Sequence, residues 1–340
     1  MPRIAIDAMG GDRGPAEAVL GVVQAHERWP ELELTLVGKS EELEPVLAAH
    51  GAKGQGIKIV HASEVVSMDD SPSEAVRGKR DSSINRSVNL VATGQADAIV
   101  SPGNTGGFVA SATLQLRLLG EVRRPGIAVS MPTSRGVTMI IDVGANVYPK
   151  PLHLCQYAAM ASVYSNLIWK VENPRIGLLN IGSENAKGTG LVREVHEQLT
   201  RSKLNFVGNL EGSDFWEGNY DVIVCEGFVG NVLLKVSEGL WPALLGQVSK
   251  HLTKNQAPGA EVWTKGIAEL IKLYDYAEYG GAPLLGVNGV CIICHGRSEA
   301  KAFMNAARLA ADCVGRNVNK LMMEAVATAG FDQPGEGSPA

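Results

Sequence analysis

The 340-residue sequence lacks a basic excess: 31 lysines and arginines stand against 36 aspartates and glutamates, a formal net charge of −5. Neutralising the phosphates of a nucleic acid requires a basic surface, so we expect no nucleic-acid partner. The sequence also lacks any uninterrupted apolar run near the ~18 residues of a membrane-spanning helix, and it has no signal-peptide pattern before the first predicted strand. These absences predict a cytoplasmic globular protein.

Cysteine is scarce, with five residues in the whole chain, which favours a reducing compartment over a disulfide framework. Cys291 and Cys294 nevertheless have the CxxC spacing of redox and metal motifs. Their segment, Val290 to Cys294, is β-branched and apolar, and strand residues three positions apart point to opposite faces of a sheet. With no second CxxC and no histidine pair at ligand spacing, we predict no metal site and no redox role here.

The sequence does contain short β-branched segments that alternate with longer helical patterns. Such alternation predicts an α/β fold, a three-layer α/β/α domain with a mostly parallel sheet, over residues 1–330. The tail 331–340, rich in Gly, Pro and Ser, is predicted to be disordered. Ten strands are predicted, at Arg3–Asp7, Leu32–Val37, Ile57–Ala62, Ala96–Val100, Gly126–Met131, Val137–Asp142, Ile176–Asn180, Asn205–Val207, Asp221–Cys225 and Val290–Cys294.

Two long helical patterns, Val229 to about Leu252 and Glu261 to about Tyr274, interrupt this alternation. The turn residues 254–259 join them, so we predict a projecting helical hairpin arm at about 229–275. A projecting hairpin cannot bury its apolar stripes on the body, which implies a partner, and a symmetric homodimer of paired hairpins is favoured. The stripes are Val232, Leu233, Val236, Leu240, Leu244, Val248 and Leu252, then Trp263, Ile267, Leu270 and Ile271.

The far end of the arm has more basic than acidic residues, which would attract an acidic protein or anionic lipid. The turn at 253–258 offers no bulky apolar residue to insert into a bilayer. Any peripheral membrane contact is therefore predicted to be weak and sensitive to salt. The basic residues are Lys250, Lys254, Lys265 and Lys272, against Glu261 and Glu269.

Polar, glycine-rich loops follow six of the predicted strands. In open α/β sheets, ligands bind at the carboxyl ends of the strands, so these loops are expected to share one crevice. Glycine loops at helix N-termini suit an anion, and the absence of Walker and GxGxxG motifs favours phosphate over a nucleotide. The loops are Asp7–Asp12, Ser101–Gly107, Val143–Asn146, Asn180–Gly190, Glu226–Asn231 and His295–Ser298.

Several of the candidate residues in these loops also have purely structural interpretations. Asp7 and Asp12 would then brace the first turn, Asn104 and Asn231 would cap helices, Lys187 would be a solvated surface lysine, and His295 would be a structural histidine. A nucleophilic Cys225, next to Glu226, is a further alternative, although buried strand cysteines are usually inert. The candidate ligands for substrate or phosphate are Asp7, Asp12, Gly103, Asn104, Thr105, Gly106, Asn146, Asn185, Asn231 and Arg297, and the candidate catalytic residues are Lys187, His295 and Ser298.

Seven motifs together resemble the bacterial phosphate acyltransferases of the PlsX type, in order and to about residue 328. They are DAMGGD, GNTG, DVGAN, GLLNIGSENAKG, EGFVGNVLLK, YAEYGGAPLLGVNG and HGRS. The resemblance implies transfer of a long-chain acyl group from acyl carrier protein to inorganic phosphate, without a metal or redox cofactor. The acyl phosphate would serve a membrane glycerol-3-phosphate acyltransferase in phospholipid synthesis. It also implies a fold similar to phosphotransacetylases and to the isocitrate/isopropylmalate dehydrogenases, and it agrees with a dimer.

The implied chemistry is direct attack by phosphate on the thioester carbonyl, largely a matter of positioning and electrostatics. Lys187, Asn104 and Thr105 are then assigned to phosphate and the developing oxyanion. His295 and Ser298 would assist the departing thiol, with Arg297 near phosphate or the carrier arm. Three alternatives stay open: a phosphotransacetylase acting on an acyl-CoA, a dehydrogenase of the same fold (disfavoured by the missing acidic metal cluster), and a non-catalytic scaffold.

Overall fold

The strands arise from continuous apolar segments, because helices cover both faces of the sheet. In the first strand Ile4, Ala5 and Ile6 are all buried. The computed structural model describes residues 1–254, 260–273 and 276–331, which form eleven strands in one sheet. They are β1 (Arg3–Asp7), β2 (Glu33–Gly38), β3 (Lys58–His61), β4 (Ala98–Ser101), β5 (Gly126–Thr133), β6 (Gly136–Ile141), β7 (Ile176–Leu179), β8 (Phe206–Leu210), β9 (Val222–Val224), β10 (Ala282–Leu285) and β11 (Val290–Ile293).

Eleven α-helices in the described residues follow the predicted alternation, several with side-chain caps. The side chain of Ser82 accepts a hydrogen bond at the start of α4, and that of Thr189 does so at the start of α7. The helices are α1 (Pro15–Arg28), α2 (Ser40–Ala48), α3 (Pro72–Gly78), α4 (Ser83–Ala92), α5 (Thr105–Leu116), α6 (Pro151–Trp169), α7 (Gly190–Arg201), α8 (Gly227–Lys254), α9 (Ala260–Leu273), α10 (Ala300–Gly315) and α11 (Val318–Thr328).

Two apolar clusters lie on the two faces of the sheet and confirm the three-layer α/β/α prediction. One cluster joins the sheet to α1, α6, α10 and α11. The other joins it to α4, α5 and the first turns of α8. Cys291 belongs to the second cluster and Cys294 to the first, so the two sulfurs lie on opposite faces, as predicted.

The strand order is β3-β2-β1-β4-β11-β10-β5-β6-β9-β7-β8. Seven of the ten neighbouring pairs are parallel, which confirms the mostly parallel prediction. The three antiparallel pairs are β11·β10, β10·β5 and β5·β6. The strand β10, in a short segment beginning Ala282-Pro283, was not predicted.

These reversals give the two halves of the sheet opposite directions. The carboxyl ends of β1, β4 and β11 lie at the same end of the sheet, measured along the strands. We call this end the β11 edge, although it is not a lateral edge strand. Three antiparallel steps later, the carboxyl ends of β6, β9 and β7 lie at the opposite edge, which we call the β9 edge. The expectation that all six polar loops share one crevice is therefore wrong for a single chain.

The helices α8 and α9 pack against each other within the segment for which the sequence predicts the hairpin arm, whose projection stays a prediction. Residues 255–259 of its predicted turn, and 332–340 of the predicted disordered tail, lie outside the described residues. Leu233 packs against the body, whereas the rest of the described first stripe is largely exposed. None of the described helices combines the length and apolarity needed to cross a membrane.

Candidate active site

The three loops at the β11 edge are packed directly on one another. The backbone N–H of Asp12 donates to the carbonyl of Gly296 at 2.7 Å, which joins the loops after β1 and β11. A Cβ on Gly10 would lie 2.5 Å from the Cα of Gly103, so only glycine allows the loops after β1 and β4 to approach this closely. Three of the predicted loops therefore form one site.

Asp7 lies beneath these loops and is fully buried. It accepts hydrogen bonds from the Ser101 hydroxyl at 2.7 Å and from the backbone N–H of Met9 at 3.1 Å. Burial raises the pKa of this carboxyl. These contacts match the bracing alternative, because Asp7 positions the loops and does not reach solvent itself.

Asn104 is also fully engaged within the protein. Its side-chain oxygen accepts from the N–H of Gly107 at 2.9 Å, which caps α5, and its amide nitrogen donates to the carbonyls of Ser67, Met68 and Asp70 at 3.1 to 3.2 Å. The capping alternative thus describes Asn104. The neighbouring Thr105 is exposed at the first turn of α5 and remains available to a ligand.

Gly103 and Gly106 lie against side chains of neighbouring elements. A Cβ on Gly106 would lie 2.6 Å from Cγ of Pro72, and one on Gly103 would lie 2.8 Å from Cδ1 of Ile84. A side chain at either position would therefore require its neighbour to shift. Their backbone contact with phosphate stays a prediction.

His295 is half-buried at the mouth of this site. Its Nδ1 accepts the backbone N–H of Arg297 at 3.1 Å, which leaves the proton of the neutral ring on Nε2. Burial lowers the pKa of His295, and the positive charges of Lys235 and Arg297 lower it further. The carboxylates of Glu238 and Asp12 raise the pKa, but the net shift is downward. The imidazole is therefore neutral at pH 7 and presents an Nε2–H group.

Ser298 is 3% exposed, and its hydroxyl has no hydrogen-bond partner among the described residues. Buried hydroxyls are nearly always paired, so the loop after β11 leaves one hydrogen bond unmade at Ser298. The nearby start of α10 is less open to an anion. The carboxylate of Glu17 already accepts the N–H of Ala300 there, at 2.8 Å.

At the β9 edge the organising residue is Asp142, which the sequence analysis did not single out. It is fully buried and accepts four backbone N–H groups, although burial still raises its pKa. Asn146 beside it donates to the carbonyl of Pro125 at 2.6 Å and to the Tyr157 hydroxyl at 2.7 Å. The polar character of this loop therefore serves its own folding, and Asn146 is a bracing residue.

Lys187, Asn185 and Asn231 also belong to the β9 edge. The Lys187 ammonium lies 2.9 Å from the Glu184 carboxylate, and all three candidate side chains are exposed. Five strand steps separate β11 from β7, a lateral distance of roughly 24 Å. Lys187 and His295 of one chain therefore do not act on the same phosphate, contrary to the expectation of one crevice.

Cys225 is buried, which raises the pKa of its thiol, and its sulfur lies 3.4 Å from the carbonyl oxygen of Asp142. A buried, protonated thiol without access to solvent does not serve as a nucleophile. Burial likewise raises the pKa of Cys294 to about 12. These positions favour direct attack by phosphate over a covalent cysteine intermediate.

The fold is that of the phosphotransacetylases. A phosphotransacetylase from Streptococcus pyogenes superposes with a TM-score of 0.62 at 18% identity, over 92% of this chain and 94% of that one. A branched-chain phosphotransacylase from Enterococcus faecalis superposes with a TM-score of 0.57 at 16% identity, over 92% and 99%. At such identities the likeness defines the fold alone, and it agrees with the predicted fold class.

The sequence comparisons then define the family. The model for the family described as "Fatty acid synthesis protein" matches residues 2–321. A "Phosphate acyltransferase" of Desulfitobacterium hafniense is 47% identical over 315 residues, 92% of this chain and 94% of the relative. One of Geobacter sulfurreducens is 45% identical over 328 residues, 96% and 94%. The chain belongs to this phosphate acyltransferase family and is an acyltransferase.

Proposed function

We propose that the protein transfers a fatty acyl group from acyl carrier protein to inorganic phosphate at the β11 edge. The observation that carries the proposal is the meeting, on one set of loops, of the Nε2–H donor of His295 and the unpaired hydroxyl of Ser298. Both groups donate hydrogen bonds without needing a proton transfer. This suits a reaction in which negative charge develops on a carbonyl oxygen.

In the proposed reaction an oxygen of hydrogen phosphate attacks the thioester carbonyl carbon. The C–S bond breaks, the sulfur leaves as thiolate, and the proton of the phosphate goes to that thiolate. A thiol with a pKa of about 8.5 departs readily as its thiolate, so His295 and Ser298 need only stabilise the oxyanion. Thr105 and Arg297, both exposed at the same loops, are assigned to phosphate or to the carrier arm.

An assay of thiol release tests this function. The purified full chain should release free carrier-protein thiol from an acyl carrier protein thioester only when inorganic phosphate is present. Equal or faster release from an acyl-CoA would instead identify a phosphotransacetylase, the alternative that the shared fold keeps open. Absence of phosphate-dependent release from either donor would overturn the proposal and leave a scaffold.

The product chemistry supports a place early in phospholipid synthesis. An acyl phosphate is a reactive mixed anhydride, so an acceptor must consume it soon after release. We assign this step to the membrane glycerol-3-phosphate acyltransferase that the sequence resemblance implies. Detection of acylated glycerol phosphate only when both enzymes are present would test the coupling.

We also propose that the chain is a homodimer paired through its hairpin. An apolar row on α8 is exposed over about 24 Å of helix, at 1.5 Å per residue; its residues are Val232, Val236, Leu240, Leu244 and Val248. An exposed apolar row of this length is typical of an interface.

Light scattering with size-exclusion chromatography should therefore give about twice the 36.0 kDa chain mass. The double variant Leu240→Asp with Leu244→Asp should be monomeric, because carboxylates in a paired apolar seam remain uncompensated. Leu114→Asp, at an exposed leucine on α5, is the matched control and should stay dimeric. A monomeric wild type would refute the dimer.

Weak peripheral membrane contact remains part of the proposal. Lys250, Lys254 and Lys265 are exposed on the arm. Their attraction to anionic lipid is screened at physiological salt, where the Debye length is about 8 Å. The protein should sediment with anionic vesicles at low salt and stay in the supernatant at high salt. Salt-resistant binding to neutral vesicles would contradict the proposal.

A further inference from the structure

The loop 65–70, between β3 and α3, links the start of α5 to the loop after β11. The side-chain amide nitrogen of Asn104, the residue that caps α5, donates to three carbonyl oxygens of this loop, that of Met68 among them, at 3.1 to 3.2 Å. On its other side the loop reaches Gly296, since a Cβ on that glycine would lie 3.0 Å from Cε of Met68. The loop 65–70 therefore belongs to the β11 edge, where the sequence analysis did not place it.

Further bonds hold this loop in one shape. The Lys79 ammonium donates to a backbone carbonyl of the loop at 2.9 Å and pairs with the carboxylate of Asp70. The same carboxylate accepts the backbone N–H of Ser67 at 2.8 Å, and Val66 is buried in the apolar cluster that includes α4 and α5. A loop held by this many contacts is pre-organised, so it loses little freedom when a ligand binds to the side chain of Met68 that it presents.

Met68 is an apolar side chain at the mouth of a polar site. It is 49% exposed, and its methyl group lies against Gly296, which stands between His295 and Arg297 in the chain. Asp12 approaches the same glycine, because a Cβ there would lie 2.9 Å from its carboxylate. An open apolar surface thus lies within one residue of His295, where the thioester carbonyl is proposed to bind.

We propose that Met68 contacts the fatty acyl chain of the donor beside the thioester and so favours long-chain donors over short ones. The assignment rests on the proposed function for the identity of the donor. Of the reacting groups, phosphate is an anion and the thioester is polar, whereas the acyl chain is apolar along its length. Contact between that chain and a half-exposed methionine removes apolar surface of both from water, which favours binding. Methionine is unbranched and polarisable, which suits a flexible apolar ligand.

Met323 supplies a matched control within the same chain. It is 41% exposed on α11 and also lies against a glycine, since a Cβ on Gly120 would lie 2.7 Å from Cγ of Met323. Gly120 follows the end of α5, and α5 starts at the β11 edge, so this methionine lies toward the other end of the sheet. The two methionines therefore differ chiefly in place. Neither Met68→Ala nor Met323→Ala should change the denaturation midpoint, because surface substitutions rarely alter stability.

The first test measures binding and needs no turnover. Calorimetric titration of the full chain compares dodecylphosphonate with methylphosphonate, which share the anionic head and differ in the alkyl chain. Met68→Ala should weaken the binding of dodecylphosphonate about tenfold, which corresponds to about two buried methylene groups, and should leave that of methylphosphonate unchanged. Met68→Leu keeps the apolar volume and should restore most of the affinity. Met323→Ala should bind both phosphonates as the wild type does.

The second test is turnover with two donors on the same carrier protein. Met68→Ala should lower kcat/KM about tenfold more for a palmitoyl donor than for an acetyl donor, with the KM for phosphate unchanged. Equal losses for both chain lengths, the same loss in Met323→Ala, or a wild type that binds the two phosphonates equally would overturn the assignment. A protein that prefers dodecylphosphonate through Met68 but releases no thiol would refute the proposed function and leave the apolar contact standing.

Discussion

His295→Ala is expected to reduce the kcat of phosphate-dependent thiol release by about 10²-fold or more while the protein stays folded. The half-buried ring presents its Nε2–H to the site because Nδ1 is already occupied by the N–H of Arg297. Alanine removes this donor from the developing oxyanion. It breaks no buried cluster, since His295 belongs to neither apolar cluster of the sheet. Steady-state kinetics with saturating phosphate measure the effect.

Two controls separate this role from a structural one. His295→Gln places an amide donor near the position of Nε2 and should retain more activity than alanine. His196→Ala removes another half-buried histidine, one that lies 3.0 Å from Asn209 and packs on Phe206 in the other half of the sheet, and should leave kcat nearly unchanged. Near wild-type turnover in His295→Ala would remove the ring from the mechanism.

The polar loops were predictable from the sequence, but their division between two edges was missed. The predicted strands Gly126–Met131 and Val137–Asp142 are joined by only five residues. Parallel neighbours need a crossover of a dozen residues or more, so this short connection already indicated a hairpin and a reversed direction. In the structure β5 and β6 are indeed antiparallel, and only Ser134 and Arg135 connect them. The other two antiparallel pairs both involve β10, which was not predicted, and they cancel each other, so β5 runs in the same direction as β11.

The asparagines show a different limit. Asn104 and Asn146 occupy the kind of glycine-rich loop that binds anions. An asparagine in such a loop can either bind a ligand or cap a helix, and the sequence alone does not distinguish the two roles. Tertiary contacts decide between the two, because the partners of Asn104 lie more than thirty residues away, on the loop 67–70. The opposite holds for Cys291 and Cys294, whose divergence follows from strand geometry alone and was predicted.

Asp142→Ala is expected to cause a large loss of stability, about 3–5 kcal/mol, because it leaves four backbone N–H groups, that of Ile127 buried and three partly buried, without their acceptor. The carboxylate accepts hydrogen bonds from four backbone N–H groups. Their distances are 3.0 Å for Ile127, 3.1 Å for Gly144, 2.9 Å for Ala145 and 2.7 Å for Asn146. The alanine methyl group replaces none of these bonds, and water cannot easily enter a fully buried site. Denaturant unfolding measures the shift as a lower midpoint.

The same change should also loosen the start of α8, because the loop of Asp142 supports it. The N–H of Gly227 donates to the carbonyl of Asn146 at 3.0 Å, and a Cβ on Gly230 would lie 2.0 Å from the carbonyl oxygen of Asp142. Loss of this support loosens the first turns of α8. Asp312→Ala, at an exposed carboxylate 3.7 Å from Arg308, is the control and should shift the midpoint little. An Asp142→Ala protein with a wild-type midpoint would show that the fold does not depend on this carboxylate.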